Sequence, residues 1–199
     1  MPKKVDHHER RLIIADALKR VASEMGLEQI SLRHVASEAG LSAGTIQHYF
    51  RTKDEMMTFA LAEVQQSTAG RLSAAVAALG EDPSPHDLLR TTLTQMLALD
   101  DARRADGRVA LAFLSYVAVR PDAASALRAD TRAMLTFVAG LIRTAQQAGQ
   151  AAPGLDPDLT ATGLLALADG LNNYLLSGHY GPERAVATLH AHLGMIFTS

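Results

Sequence analysis

The sequence predicts an all-α protein of about nine helices, and three observations support this fold class. Hydrophobic residues make up 48% of the 199 positions, and alanine and leucine, both strong helix formers, dominate them. Period-two runs of β-branched residues, which would indicate strands, are nearly absent. The chain also has no cysteine, which excludes disulfides and thiolate chemistry.

The N-terminal segment is charged and has no apolar core of the kind found in signal peptides. Residues 1–9 predict a polar arm, in which Lys3 and Lys4 could touch DNA phosphate and solvation explains His7 and His8 better than metal binding does. The longest apolar run, near residues 109–119, is too short to span a bilayer. We therefore expect a soluble, cytoplasmic protein with no membrane partner.

The first helix is predicted from Arg10 to Met25, with Gly26 at its end. Residues 31–50 then predict two short helices joined by a tight turn. Ser31 and Ser42 are suitable N-caps, and Gly40 suits the left-handed conformation that ends a helix. Two capped helices around such a turn form a helix-turn-helix pattern. An ordinary helical hairpin with a glycine turn is the alternative.

The second of these helices has two distinct faces. Ile46 and Phe50 are four residues apart and are expected to point into the core. Gln47 and His48 are left on the side of solvent or of a groove, together with Ala43 and Gly44. Small residues in the first turn would let the backbone approach a phosphate.

The run from Leu32 to Met57, LRHVASEAGLSAGTIQHYFRTKDEMM, resembles the tetracycline-repressor (TetR) family of bacterial transcription regulators. Its ending, residues 49–54, supplies the aromatic pair, short linker and helix-opening lysine of that family. The resemblance implies a DNA-binding domain over residues 1–53 and a ligand-binding and dimerisation domain over residues 54–199. Gln47 stands where many members carry tyrosine or arginine, which leaves the base preference at this position open.

The residues expected to contact DNA lie in and around the two short helices. Thr45, Tyr49 and Lys53 are expected to contact phosphates, while Gln47 and His48 read bases, since glutamine can pair bidentately with adenine. The full set is Ser31, Arg33, Ser42, Ala43, Gly44, Thr45, Gln47, His48, Tyr49 and Lys53.

The charge distribution favours DNA as a partner, although the net charge of the chain is −2. Residues 1–53 contain nine Lys and Arg against six Asp and Glu, whereas the remainder contains ten against fifteen. A basic N-terminal part on an acidic body is typical of a protein in which only one face meets phosphate.

The following helices are predicted from caps and breaks. Thr52 and Glu55 form a capping box that opens a helix running to about Leu79, long enough to transmit a tilt to the DNA-reading part. After the break at residues 80–85, a helix is expected to about Leu97. Residues 100–107 predict a polar kink or short loop, residues 108–119 a buried helix and residues 120–122 a turn. Another helix then reaches Gln147, and residues 149–158 form a loop.

The last two helices are predicted over Leu159–Leu176 and Pro182–Phe197. Small residues at positions 163, 166 and 170 allow close approach of another helix, and the leucines exceed one apolar stripe: Leu164, Leu165, Leu167, Leu171, Leu175 and Leu176. A helix with two apolar sides needs two partners. In TetR-like proteins this pair builds a homodimer, so we expect one here; burial within the same monomer is the alternative.

The second part of the chain also predicts a ligand cavity. Asp169, Asn172 and Asn173 interrupt an apolar helix, and such groups either satisfy neighbouring backbone or a subunit partner, or orient a ligand. The predicted lining is Leu61, Met96, Phe113, Tyr116, Met134, Phe137, Asp169 and Asn173. The effector would be mainly apolar, and cationic if Asp169 is ionised. Through residues 169–171 and the His- and Tyr-bearing loop after them, this part is similar to betaine-pathway-type repressors.

These observations favour a repressor that binds a palindromic double-stranded DNA operator as a homodimer and is released by a small ligand. No catalytic or phosphate-loop motif is present, so we expect neither an enzyme nor a cofactor nor a metal site. A helical small-molecule binding protein without an operator is the alternative, and the polarised charge speaks against it.

Overall fold

The computed structural model describes residues 7–24, 30–118 and 125–197, and within these ranges it contains nine helices and no strand. Their bounds are α1 His7–Glu24, α2 Leu32–Glu38, α3 Ala43–Tyr49, α4 Lys53–Ala77, α5 Pro85–Met96, α6 Asp101–Ala118, α7 Ser125–Gln147, α8 Pro157–Leu176 and α9 Pro182–Gly194. An isolated antiparallel bridge pairs Ala151 with Phe197. The predicted all-α fold is confirmed. No helix among the described residues is both long and apolar enough to cross a membrane.

Several predicted boundaries need correction. The polar arm was expected to include residues 7–9, but these form the first turn of α1. Helix α9 ends at Gly194 rather than at Phe197, and α4 ends at Ala77. Lys3, Lys4, the end of the first predicted helix at Met25 and Gly26, and the predicted turn at residues 120–122 lie outside the described residues.

The chain divides into two compact units, and the division falls within α4. The first unit contains the described residues of Met1–Ser67 and of Asp101–Val119, and the second contains those of Thr68–Asp100 and Arg120–Ser199. These units reflect packing. The functional boundary expected between residues 53 and 54 stays a prediction.

The first unit is built around α1, which packs against α2, α3 and α6. Ile14 and Leu18 of α1, Val35 of α2 and Ile46 of α3 are completely buried. Because each of the short helices α2 and α3 buries little apolar surface by itself, α1 has to supply the common face on which both rest.

Residues 101–107 form the start of α6, so the prediction of a kink or loop there is wrong. Asp101 lies in the first turn, where the helix dipole favours a carboxylate. Asp106 is 7% exposed, and its carboxylate lies 3.0 Å from Lys19 Nζ of α1. The charges that suggested a loop therefore serve a helix end and an interhelical ion pair.

The second unit has one apolar core formed by helices α5, α7, α8 and α9. Leu164, Leu165, Leu171 and Leu175 of α8 are all buried in this core. The excess of leucine that predicted a partner chain is thus used largely within the protomer. Leu171 and Leu175 consequently cannot serve as probes of a dimer interface, because changing either would damage the monomer core.

Asn172 connects α8 to the chain between α5 and α6. Its side-chain carbonyl accepts the Ala98 N–H at 2.8 Å, and its amide donates to the Met96 carbonyl at 2.9 Å. Both backbone groups lie at the C-terminal end of α5, where they cannot form hydrogen bonds within that helix. The sequence left two roles open for the polar residues of α8, pairing with neighbouring groups or orienting a ligand. Asn172 pairs with neighbouring backbone.

We expect Asn172→Ala to lower the free energy of unfolding by about 1–3 kcal/mol, because two part-buried backbone groups would lose their partner. Chemical denaturation at fixed protein concentration measures this change. Gln147→Ala, at the exposed end of α7, is the control and should stay within about 0.5 kcal/mol of wild type. Equal stability of Asn172→Ala and wild type would show that these two bonds contribute nothing net.

Candidate nucleic-acid interface

The helix-turn-helix has the caps that the sequence predicted. Ser31 Oγ accepts the His34 N–H at 3.2 Å, and Ser42 Oγ accepts the Thr45 N–H at 3.0 Å. Gly40 has a φ of 64°, the left-handed region that favours glycine. The turn is closed by the Leu41 N–H, which donates to the Ala36 carbonyl at 2.9 Å.

Helix α3 presents its two faces as expected. Ile46 and Phe50 are completely buried, whereas Ala43, Gly44, Gln47 and His48 are exposed. Thr45 and Tyr49 are half-buried, and the Thr45 hydroxyl lies 2.8 Å from that of Ser42. The exposed side of α3 therefore carries two side chains that can form hydrogen bonds with base edges, beside a first turn of small residues.

Gly44 is not required by the fold itself. A Cβ placed there would meet only Ser42 Oγ, at 3.8 Å, which is ordinary van der Waals contact. Its φ is not in the left-handed region. A glycine that neither packing nor backbone conformation demands agrees with the interpretation that this turn closely approaches another molecule.

The end of α3 is held by the guanidinium of Arg11, which lies close to two phenylalanine rings that also contact each other. Arg11 Cζ is 4.6 Å from the centroid of Phe50 and 4.4 Å from that of Phe59. Its Nη2 also lies 3.4 Å from Glu55. Three helices thus meet at this side chain. Arg11 belongs to α1, Phe50 directly follows α3, and Phe59 and Glu55 belong to α4.

The start of α4 is only partly the predicted capping box. Thr52 Oγ1 accepts the Glu55 N–H at 3.1 Å, as expected. The Glu55 carboxylate accepts the N–H of Arg51 at 3.0 Å instead of the N–H of Thr52, and it also meets Arg11. Lys53, the first residue of α4, is half-buried.

The remaining predicted contacts lie on α2. Arg33 is exposed, and Ser31 is half-buried because its hydroxyl caps the helix. On the same helix Glu38 pairs with Arg20 of α1 at 2.6 Å. This pair connects α2 to α1 and does not involve Arg33.

His7 is a residue near α3 that the sequence reading missed. It was assigned to a solvated arm, but its ring lies 4.8 Å from that of Tyr49 and 6.4 Å from that of His48. Residues 7–9 are compatible with a helix, and this could have predicted that α1 begins before Arg10 and includes His7.

The predicted ligand residues fall in both units. In the first unit Leu61 and Phe113 are buried and Tyr116 is half-buried; in the second, Met96 and Met134 are half-buried while Phe137, Asp169 and Asn173 are exposed. Desolvation by the surrounding protein raises the pKa of Asp169 above its ordinary value. The role of these residues in binding a ligand stays a prediction.

An aromatic cluster surrounds the turn between α8 and α9. The Tyr174 ring stacks on that of His179 at 5.1 Å and lies 5.2 Å from that of Tyr180. Arg184 is 5.9 Å from the Tyr180 centroid. Desolvation, followed by the neighbouring Tyr174, raises the pKa of Tyr180, although Arg184 acts in the opposite direction.

The outer face of α8 is exposed and includes two small residues, Gly163 and Ala166. Leu159 is 72% exposed, and the face continues through Gly163, Ala166, Asp169 and Asn173, all of which are exposed. A Cβ placed at Gly163 would meet nothing within 4 Å. Another helix could therefore approach this face closely.

Two family models match the chain. The model of bacterial regulatory proteins of the tetR family covers residues 14–58, which includes the helix-turn-helix. The model of the C-terminal part of BetI-type transcriptional repressors covers residues 85–198, more than half of the chain.

Individual relatives agree with these matches. The HTH-type transcriptional regulator PksA of Bacillus subtilis is 33% identical over 171 residues, which cover 86% of this chain and 80% of PksA. A transcriptional regulator from Rhodococcus sp. Rha1 has a TM-score of 0.79 at 34% identity, with 94% and 95% of the two chains covered. A structure from Saccharomonospora viridis, solved in complex with choline, shares the fold at 22% identity with a TM-score of 0.82, covering 96% and 100%.

Proposed function

Since the chain belongs to the TetR family of bacterial transcriptional regulators, we propose that it is a repressor that binds a palindromic operator as a homodimer and is released by a small ligand. Its relatives are DNA-binding transcriptional regulators and not enzymes, which agrees with the lack of a catalytic motif. The match to BetI-type repressors supports the repressor role.

The exposed side of α3 is the observation that carries the proposal of operator binding. Gln47 and His48 point away from a buried Ile46 and Phe50, so they are free to enter a major groove. Thr45, Tyr49 and Lys53 flank them and are only half-buried, which suits contacts with phosphates. The basic balance of residues 1–53 adds a sequence-independent attraction to DNA.

A homodimer is proposed through the outer faces of α8 and α9. Gly163 and Ala166 of α8 and Ala187 and Ala191 of α9 are exposed in the protomer, and Met195 next to them is 68% exposed. Small side chains at helical spacing permit close helix packing, and two-fold symmetry matches a palindrome whose half-sites lie roughly 34–36 Å apart.

The proposed effector is a small cation with apolar groups. Desolvation raises the pKa of Asp169 above its ordinary value, and a cation beside this carboxyl would stabilise its charged form. The choline complex of the Saccharomonospora viridis protein supports testing this chemical class first. The cluster at the α8–α9 turn is a poorer candidate, because Arg184 already lies near the face of Tyr180.

Release requires that the effector favour a conformation that cannot bind the operator, since a ligand shifts only an equilibrium between states that it binds differently. Because half-site spacing must match the DNA repeat, a small tilt of the two α3 helices would suffice. We propose that α4, which the division into units places partly in each, transmits this tilt.

The first prediction concerns DNA. Wild type should bind random DNA at low salt and lose it as salt rises. Lys53→Ala should weaken all sequences alike and reduce the salt slope by about 1 per half-site. Gln47→Ala should instead reduce the discrimination between bases at one base pair of each half-site, by about 1–3 kcal/mol of binding free energy. Fluorescence anisotropy on an operator selected from random DNA measures both, with exposed Arg132→Ala of α7 as control. Identical effects on every sequence would contradict the assignment.

The second prediction concerns assembly. Ala166→Arg places a charge and a long side chain on the outer face of α8, so it should yield folded monomers in sedimentation velocity where wild type forms dimers. Ala133→Arg, on an exposed position of α7, should remain dimeric. A wild type that stays monomeric at micromolar concentration would rule out the dimer, and a dimeric Ala166→Arg would rule out this face.

The third prediction concerns the effector. Choline should raise the melting temperature and weaken operator binding, whereas its uncharged isostere, with carbon in place of the quaternary nitrogen, should do much less. Asp169→Asn should reduce the difference between the two compounds. A rise in melting temperature with unchanged DNA affinity would leave a binding site but disprove release. No response to choline beyond that to the isostere would disprove the cationic class.

A further inference from the structure

The first turn of α1 lies against the last turn of α3. The His7 ring is 4.8 Å from the Tyr49 ring and 6.4 Å from the His48 ring, and the rings of His48 and Tyr49 are 5.2 Å apart. His7 and His48 are exposed, and Tyr49 is half-buried. We call these three side chains the imidazole cluster. It joins a residue of α1 to two residues of the helix proposed to bind DNA.

Packing alone does not explain His7. The residues that bury α1 in the first unit are apolar and begin further along the helix, at positions such as Ile14 and Leu18. An exposed ring at the first residue of a helix contributes little buried area. Metal binding is also poorly supported, since among residues 7–24, 30–118 and 125–197 no group of three His, Cys, Asp or Glu side chains is arranged around an ion.

We propose that His7 is a DNA-contacting residue and that its imidazole, together with the Tyr49 hydroxyl, binds a backbone phosphate beside the His48 side chain, extending the interface from α3 onto α1. This inference rests on the proposed function as a DNA-binding protein. Imidazole N–H and phenol O–H groups are both hydrogen-bond donors to phosphate oxygens. Because His7 lies on α1 and not on the helix that enters the groove, it would position the protein without reading bases.

The charged side chains in the first turns of α1 and at the start of α4 balance, with three basic and three acidic residues. On α3 the titratable residues are the cluster members His48 and Tyr49 themselves. The first turns of α1 add His8, Glu9, Arg10 and Arg11, and α4 begins with Lys53, Asp54 and Glu55. Of these acids, Glu55 already meets Arg11 and the Arg51 N–H.

Proton uptake follows from this placement. A phosphate beside an imidazole favours its charged form. DNA affinity should therefore rise as the pH falls. Each imidazolium that neutralises a phosphate should also steepen the salt dependence, by about 0.9 in the logarithmic slope.

The test uses the full chain and an operator selected from random DNA, with anisotropy titrations over a salt series at an acidic and at an alkaline pH. Wild type should bind more tightly and with a steeper slope at the lower pH. His7→Gln keeps a polar side chain but cannot be charged, so it should lose part of the pH dependence and about 0.9 of the low-pH slope per half-site. It should affect operator and random DNA alike.

Two further variants separate a phosphate contact from a structural role. His7→Lys should restore tight binding at both pH values and lose the pH dependence that His7 contributes. His192→Gln, an exposed histidine of α9 in the second unit, should behave like wild type. His7→Gln binding like wild type at both pH values would overturn the inference, as would a pH-independent loss that His7→Lys does not restore.

The outcome also distinguishes this inference from the proposed function. If Lys53→Ala weakens DNA binding while His7→Gln does not, only the role of His7 is disproved. If wild type binds no DNA at low salt, the proposed function and the role of His7 both fail.

Discussion

The geometry of the first unit depends on the guanidinium of Arg11, which contacts both Phe50 and Phe59. A cation on an aromatic face contributes about 0.5–2 kcal/mol, more where water is excluded. Its larger effect here is geometric, because α1, the end of α3 and the start of α4 all meet at this side chain. The guanidinium lies 4.6 Å and 4.4 Å from the two ring centroids, and the rings are themselves tilted at 52° to each other. The orientation of α3 is consequently determined by residues that contact its buried side, so its exposed side remains accessible.

A second constraint fixes α1 from the other side. Lys19 pairs with the almost fully buried Asp106 of α6, and losing one partner of such a pair leaves a buried charge uncompensated. The pair therefore specifies how α1 and α6 are aligned. Since α2 and α3 pack on α1, the position of these two helices depends on α6 as well as on α4.

Local sequence signals predicted the first unit well, because its caps and turns act over three or four residues. Ser31, Gly40 and Ser42 each determine a backbone feature in their own neighbourhood, and each is found where it was expected. Interactions between distant residues were not predictable in this way. Asp106 was predicted to lie in a polar loop because its partner Lys19 is far away in the sequence. His7 was predicted to be solvated because its neighbours in the sequence give no indication of a contact with Tyr49.

The outer face of α8 shows why the apolar count alone could not identify a dimer interface. Leucines at two sides of the helix predicted two partners, yet Leu164, Leu171 and Leu175 are all used by the protomer core. What remains in the middle of the outer face are the small residues Gly163 and Ala166. Such a face gains little from hydrophobic burial per residue, so its association would depend on close backbone approach and shape. A single large side chain in its middle should therefore disrupt packing more than the loss of any one apolar contact.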